Sequence, residues 1–410
     1  MSDLPTVADI ETAAERVAPV THRTPLDPST TFTRRSGAAE VRLKLENMQR
    51  TGSFKARGAY NKLSQLPAEE REAGVVTISA GNHAQGVAYA AREFGVDATV
   101  VMPTFTPAAK VEATRGYGAT VELHGTEYQE FYDRAMELVE EEGLTFLHPF
   151  DDPAVIAGQG TVGLELVEAF PEVDTVVTPV GGGGLISGVA TAVTAKTDAR
   201  VIGVETTGSA HAKRSLEHGE VEPREALDTI AEGIAAGRLG PRTLRIIDET
   251  VDELVEVEEG AVTAAMAMLA ERANTVAEAA AATPTAALLD GKFDATGENV
   301  ALLVSGGNVD LTAFGELTKL GLASLDRYSH ARLALANWPE PVGRVTDTVE
   351  HHGAELDLLS PEPPTADLGA NCRPVSIAIA GTGPDHLRAV LESLDSEAGI
   401  TVVWSDVADN

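Results

Sequence analysis

Lys55 lies in Thr51-Gly52-Ser53-Phe54-Lys55-Ala56-Arg57-Gly58-Ala59, just after the strand-like run Val41 to Leu45, and is one of only eight lysines in a chain with 31 basic residues. An arginine side chain stays protonated, whereas a lysine amine can lose its proton, condense with an aldehyde and later act as a base. The segment reads equally as a surface lysine at the start of a helix. A second segment, Gly181-Gly182-Gly183-Gly184-Leu185, follows the strand-like Val176 to Val180 and precedes a helix from Ile186. Four glycines let a backbone curl closely around a small anion, and the amides and dipole of a helix N-terminus add attraction, so the segment suits a phosphate. It lacks the Lys-Ser/Thr ending of a nucleotide loop and the spacing of a dinucleotide fingerprint, which disfavours ATP and NAD. The bland alternative is a flexible turn.

Ser79-Ala80-Gly81-Asn82-His83-Ala84-Gln85-Gly86 also closes a strand and opens a helix. Its N-terminal amides suit a carboxylate, contributed by Ser79, Ala80, Gly81, Asn82 and His83, and the Asn82 amide can bond a phenolic or carbonyl oxygen. An ordinary helix cap would use the same residue types. Ser305-Gly306-Gly307-Asn308 is a third strand-end turn, whose hydroxyl can bond a ring nitrogen. Glu278, in Val276-Ala277-Glu278-Ala279-Ala280, is either a substrate-side group or a solvated acid. Lysine, glycine cup, asparagine and serine match the aldehyde, phosphate, 3-oxygen and ring nitrogen of pyridoxal 5'-phosphate, a set that no other common cofactor needs.

The elements that must position these segments follow an α/β pattern. From about residue 70 to 310, β-rich runs at 75–78, 98–102, 120–123, 175–178, 200–204 and 300–304 alternate with Ala-rich helical runs at 84–94, 108–117, 127–142, 186–195 and 260–272. That alternation predicts a mostly parallel sheet covered by helices. Past about Leu325 the order becomes strand 331–336, helix 342–352, strand 355–359, strand 375–379, helix 384–394 and strand 401–404, a ferredoxin-like α+β module. The expected domains are therefore 1–325, catalytic, and 328–410, regulatory.

The 410 residues carry 63 acidic and 31 basic side chains, a net charge of -32 spread along the whole chain. Such a charge argues against nucleic acid and anionic membrane as partners, since both are bound through basic patches. It fits a surface adapted to concentrated salt, where screening shortens the reach of self-repulsion. Cys372 is the only cysteine, so neither an intrachain disulfide nor a cysteine-based zinc or iron-sulfur site is available. Met1-Ser2-Asp3-Leu4-Pro5 lacks a signal pattern, and no run approaches a membrane span, which predicts a cytoplasmic protein.

Ser53 to Ala59, Ser79 to Gly86, Gly181 to Leu185 and Ser305 to Asn308, in that order, resemble the fold-type II pyridoxal phosphate enzymes, with a tryptophan synthase β-like core. Within them, they resemble the threonine dehydratase (threonine ammonia-lyase) and serine racemase family, as does Thr229-Ile230-Ala231-Glu232-Gly233-Ile234-Ala235. The likeness covers about residues 5 to 320 and implies two lobes, the smaller, about 45–150, inserted in the larger. It implies that Lys55 carries the cofactor and Phe54 flanks its ring. Asn82 would bind the 3-oxygen, Gly181, Gly182, Gly183, Gly184 and Leu185 the phosphate, and Ser305 the ring nitrogen. The tail resembles an ACT domain, an amino-acid-sensing module, although Asn337-Trp338-Pro339-Glu340-Pro341-Val342-Gly343 stands where such domains usually read Asp-Arg-Pro-Gly. An isoleucine or valine effector and a homodimer or homotetramer are what this implies.

The expected reaction is β-elimination from L-threonine, and from L-serine, to a 2-oxo acid and ammonia, with 3-hydroxyaspartate ammonia-lyase and serine racemase as alternatives. Racemases of this family carry a second serine at the position of Ala80, and an alanine cannot transfer protons. Eukaryotic racemases also hold a divalent cation near a Glu and an Asp; here Glu205 is followed by His211 where the Asp would fall, so no metal is expected. Cysteine synthases share the fold but show Gly-Asn-Thr-Gly and Gly-Thr-Gly-Gly in place of the segments above. An ACT-based amino-acid sensor is the non-enzyme alternative.

Overall fold

The computed structural model describes residues 4–407 except 225, 366–367 and 369–370. The first three residues of the stretch read for a signal pattern thus lie outside the described residues. The chain divides into two compact units, residues 1–314 and 315–410. The division falls within the helix Leu311–Ser324, whereas the change of sequence pattern near 325 marks that helix's end.

The first unit holds two sheets. The larger comprises β1 (Leu26–Pro28), β2 (Glu40–Leu45), β7 (Thr175–Pro179), β8 (Arg200–Thr206), β9 (Glu253–Val257) and β10 (Asn299–Val304), in the order β1-β2-β10-β7-β8-β9. All its pairings are parallel except that of β1 with β2. The smaller comprises β3 (Val75–Ile78), β4 (Ala98–Met102), β5 (Thr120–Leu123) and β6 (Thr145–Phe146), in the parallel order β5-β4-β3-β6.

Successive strand residues face opposite sides of a sheet. Val75, Val100 and Met102 accordingly enter a core with the helices Lys55–Ser64 and Asn82–Phe94, while Val76, Ile78 and Val101 enter one with the helix Tyr128–Glu142. Both faces are covered, which is why these strands read as continuous apolar runs. In the larger sheet Val176, Val180, Val201, Ala301 and Leu303 pack against helices Pro153–Ala169, Gly184–Lys196 and Pro241–Thr250.

Helix Pro153–Ala169 ties the two lysine- and glycine-bearing elements together. A Cβ on its Gly158 would lie 2.6 Å from the Gly58 Cα, and one on Gly188 would lie 2.5 Å from the Gly160 amide. Backbones this close require glycine, and they fix the lysine helix and the glycine-loop helix against one support. The lysine, Ser79, glycine-loop and Ser305 segments all follow carboxyl ends of parallel strands, the usual ligand-binding edge of such sheets, whereas Glu278 lies between two helices.

The second unit has its own core and a four-stranded antiparallel sheet, β12-β13-β11-β14. Its strands are β11 (Tyr328–Ala336), β12 (Glu355–Pro361), β13 (Cys372–Ala380) and β14 (Ile400–Ser405), with helices Val342–His351 and Pro384–Ser396, giving the ferredoxin-like βαββαβ order. Among the described residues no helix is long and apolar enough to cross a membrane.

Candidate active site

Lys55 is the first residue of the helix Lys55–Ser64, so its side chain starts where the chain turns out of Thr51–Phe54. That turn is fixed by the turn after β10: Phe54 N–H donates to the Ser305 carbonyl at 3.1 Å, and Gly307 N–H donates to the Gly52 carbonyl at 2.9 Å. Lysine and serine segments, 250 residues apart in sequence, thereby become one structural piece. The Lys55 Nζ donates to the Pro149 carbonyl at 2.9 Å and lies 5.2 Å from the Phe54 ring centroid. Burial pushes the amine down to about 8, against the opposing pull of Glu278. A lysine so displaced has a useful uncharged fraction near neutrality.

A buried ion cluster anchors the lysine helix. Arg57, fully buried two residues after Lys55, places Nε and one terminal nitrogen 2.8 Å from the two Glu46 oxygens and bonds Glu165 at 2.6 and 3.0 Å. Lys44 adds a 2.6 Å bond to Glu165. Burial opposes the charge on Glu46, but the Arg57 guanidinium outweighs it and holds the carboxyl below its ordinary range. β2, the lysine helix and helix Pro153–Ala169 are thus cross-linked by charge-assisted bonds in a planar fork that lysine could not provide.

Around the Ser79 turn, Gly81 N–H donates to the Ser79 hydroxyl at 3.1 Å, while the Asn82, His83 and Ala84 amides have no acceptor among the described residues. The His83 ring turns inward to the Leu147 carbonyl at 3.3 Å, and burial, reinforced by Lys55, holds it well below the usual histidine range. Its backbone amide, not its ring, therefore belongs to the turn. Asn82 donates from Nδ2 to Glu278 at 2.7 Å and accepts from Asn308 at 2.8 Å, leaving one amide hydrogen for a ligand.

Glu278, left open by the sequence, stands at the site: a Cβ on Gly306 would lie 2.6 Å from its Oε1 and 3.1 Å from the Asn82 Nδ2. Burial pushes its carboxyl up to about 7, against the Asn82 hydrogen bond and Lys110. Asn308 and Pro149-Phe150 are further members that sequence reasoning missed. Asn308 closes the Ser305 turn, where its residue type alone names no partner, and Pro149 comes shortly after a two-residue strand too short to show a pattern.

The glycine loop is walled closely. A Cβ on Gly182 would lie 2.3 Å from the Phe150 ring, one on Gly184 2.8 Å from the Phe150 carbonyl, and one on Gly181 2.9 Å from the Ile234 Cα. Gly183, at φ +87°, occupies the left-handed region. The amides of Gly181 to Leu185 have no acceptor among the described residues, and neither has the hydroxyl of the buried Ser305 a protein partner there. Free donors in a cup and a free hydroxyl across from a buried amine fit pyridoxal phosphate. Glu205 and His211 form a buried pair at 3.3 Å, and the described residues contain no cluster of three or more His, Cys, Asp or Glu suited to a metal.

The chain belongs to the family described as "Pyridoxal-phosphate dependent enzyme", which matches residues 17–306, and pyridoxal phosphate is its cofactor. It is 44% identical to an L-threonine ammonia-lyase of Thermotoga maritima over 352 residues, 86% of this chain and 87% of that one. With an L-threonine ammonia-lyase of Geobacter sulfurreducens it shares 40% identity over 387 residues, 94% and 96% of the two chains. Among solved structures, the processed form of threonine deaminase isoform 2 from Solanum lycopersicum aligns with TM-score 0.72 at 36% identity, covering 78% of this chain and 91% of that one. Maize serine racemase aligns with TM-score 0.74 at 36% identity, covering 76% and 96%.

Proposed function

We propose that the protein is an L-threonine ammonia-lyase, converting L-threonine to 2-oxobutanoate and ammonia and acting also on L-serine. The observation that carries this is the likeness to L-threonine ammonia-lyases over almost the whole chain, joined to a buried lysine amine with a glycine cup and a free serine hydroxyl around it. Bound pyridoxal phosphate supplies an aldehyde that captures amines and a conjugated ring that acidifies the α-proton of a captured amino acid. Lys55 would hold it through its amine, and that depressed amine would take the α-proton of the substrate. Phe54 flanks the ring, and Asn82 donates its remaining amide hydrogen to the 3-oxygen. Gly181 to Leu185 hold the phosphate and Ser305 the ring nitrogen. Ser79, Ala80, Gly81, Asn82 and His83 present a helix N-terminus to the substrate carboxylate.

Ser305 is neutral, so it would hydrogen-bond the ring nitrogen without supplying a charge to hold a proton there. Ala80 offers no proton on the face opposite Lys55, which separates this site from a racemase. The discriminating measurement is 2-oxo acid release from L-threonine, L-serine and threo-3-hydroxyaspartate in high salt, with D-serine measured in parallel. L-threonine should be the best substrate with little D-serine formed; rapid racemisation of L-serine would overturn the assignment. A native protein without the visible band of bound cofactor would instead favour an amino-acid sensor.

The catalytic part is assigned to residues 1–325, with a smaller lobe at about 45–150, and an ACT-type regulatory part to 328–410. The βαββαβ order of the second unit supports the latter. Allosteric control by isoleucine or valine, a place in isoleucine biosynthesis or threonine breakdown, a cytoplasmic homodimer or homotetramer and a halophilic source complete the reading. Adding isoleucine to the same assay tests the first of these: no change in rate would remove feedback by that amino acid.

A further inference from the structure

The glycine cup is held from outside. The His211 Nε2 lies 3.2 Å from the Gly181 carbonyl, and the Thr243 hydroxyl donates to the Gly182 carbonyl at 2.8 Å. Both side chains are buried. In a trans peptide the carbonyl and the N–H of one unit point in opposite directions. A donor that fixes the Gly181 carbonyl therefore turns the Gly182 N–H the other way, and one that fixes the Gly182 carbonyl does the same for the Gly183 N–H. We propose that His211 and Thr243 are positioning residues that aim the Gly182 and Gly183 amides at the phosphate of the cofactor. This rests on the assignment of Gly181 to Leu185 as the phosphate site.

The placement of the His211 ring is built in detail. Its Nδ1 lies 2.8 Å from the Ser209 carbonyl and 3.3 Å from a Glu205 oxygen, and Nε2 faces the Gly181 carbonyl. Those neighbours have lone pairs to offer, so a bare Nε2 would set two lone pairs against each other. Glu205 accepts from the His211 amide at 2.9 Å and from the Ala212 amide at 3.0 Å, which pins the residue at the start of its helix. Both ring nitrogens thus face carbonyl oxygens, and the contact to Gly181 is a hydrogen bond in the forms of the ring that carry a proton on Nε2. Thr243 is fixed similarly: its hydroxyl accepts from the Gly240 amide at 2.9 Å, and the Gly182 carbonyl is a nearer acceptor than the Gly240 carbonyl at 3.1 Å.

Preorganised donors matter because an amide that must turn at the moment of binding loses part of what it gains. The test compares pyridoxal phosphate with pyridoxal, which lacks the phosphate, binding to the full-length apoprotein. H211L and T243V should each weaken pyridoxal phosphate binding about tenfold, roughly one hydrogen bond, while pyridoxal binding stays within about twofold. H211Q, which returns a donor near the Nε2 position, and T243S should restore most of the loss. Neutron diffraction of the native protein should show a deuteron on Nε2 directed at Gly181, and a bare Nε2 would overturn the role of His211 even if H211L does not fold. G182A separates the two levels. If it loses phosphate-dependent binding while H211L and T243V keep the parental preference, the positioning role is wrong and the loop assignment stands. If G182A folds and keeps that preference as well, the loop assignment falls and the positioning role with it.

Discussion

Lys55 and Glu278 are displaced toward each other by the same cause: burial disfavours the charged form of each, taking the amine down to about 8 and the carboxyl up to about 7. Because only an uncharged amine condenses with an aldehyde, the rate of cofactor uptake by the apoprotein should climb with pH up to about 8 and level off above, followed by the rise of visible absorbance. Lys55→Ala should take up none in this form. For Glu278 the folded value lies above the unfolded one, so its contribution favours folding below about pH 4.5 and is lost as pH rises through about 7. Glu278→Gln should therefore be more stable to urea unfolding than the parent above pH 7, by up to about 3 kcal/mol, with little difference near pH 4. The sequence exposed Lys55 through its glycine and aromatic flanks. It could not decide Glu278, because a lone acid between helical stretches looks alike whether it faces water or a cofactor.

At the scale of elements, the lysine helix depends on what lies beneath it. Arg57 is satisfied by Glu46, Glu165, Thr161 and the His22 carbonyl, and Arg57, Glu46 and Thr161 are buried. Arg57→Met leaves two carboxylates facing no guanidinium, and removing one partner of a buried pair costs about 3–5 kcal/mol. Urea unfolding of the apoprotein should show a loss of that size. Most of the strands and helices of the α/β layers were legible, because β-rich runs of four to seven residues alternate with longer Ala-rich ones. β9, Glu253–Val257, was not legible because Glu253 and Glu256 interrupt its apolar run and break strict alternation. The helix Ala279–Leu289 is buried along its length, so it lacks the polar stripe that marks a helix in sequence.

For the whole molecule, a net charge of -32 sets strong self-repulsion, which salt screens. The melting temperature should rise between low and multimolar potassium chloride; a flat response would refute adaptation to salt. Family, cofactor and order of motifs were determined by the sequence alone, because each motif is a short local turn whose residue types are dictated by the backbone conformation and by the group it binds. Tertiary structure alone decided which of these turns meet. Ser305 closes on Phe54, Asn82 on Glu278 and Asn308, and Phe150 on the glycine loop, through hydrogen bonds and close approaches between residues up to about 250 positions apart. Such pairings follow from strand order and packing, which leave no local mark on the residues that take part. Lys55 could thus be named from its neighbours in sequence, whereas its depressed amine follows from its neighbours in space.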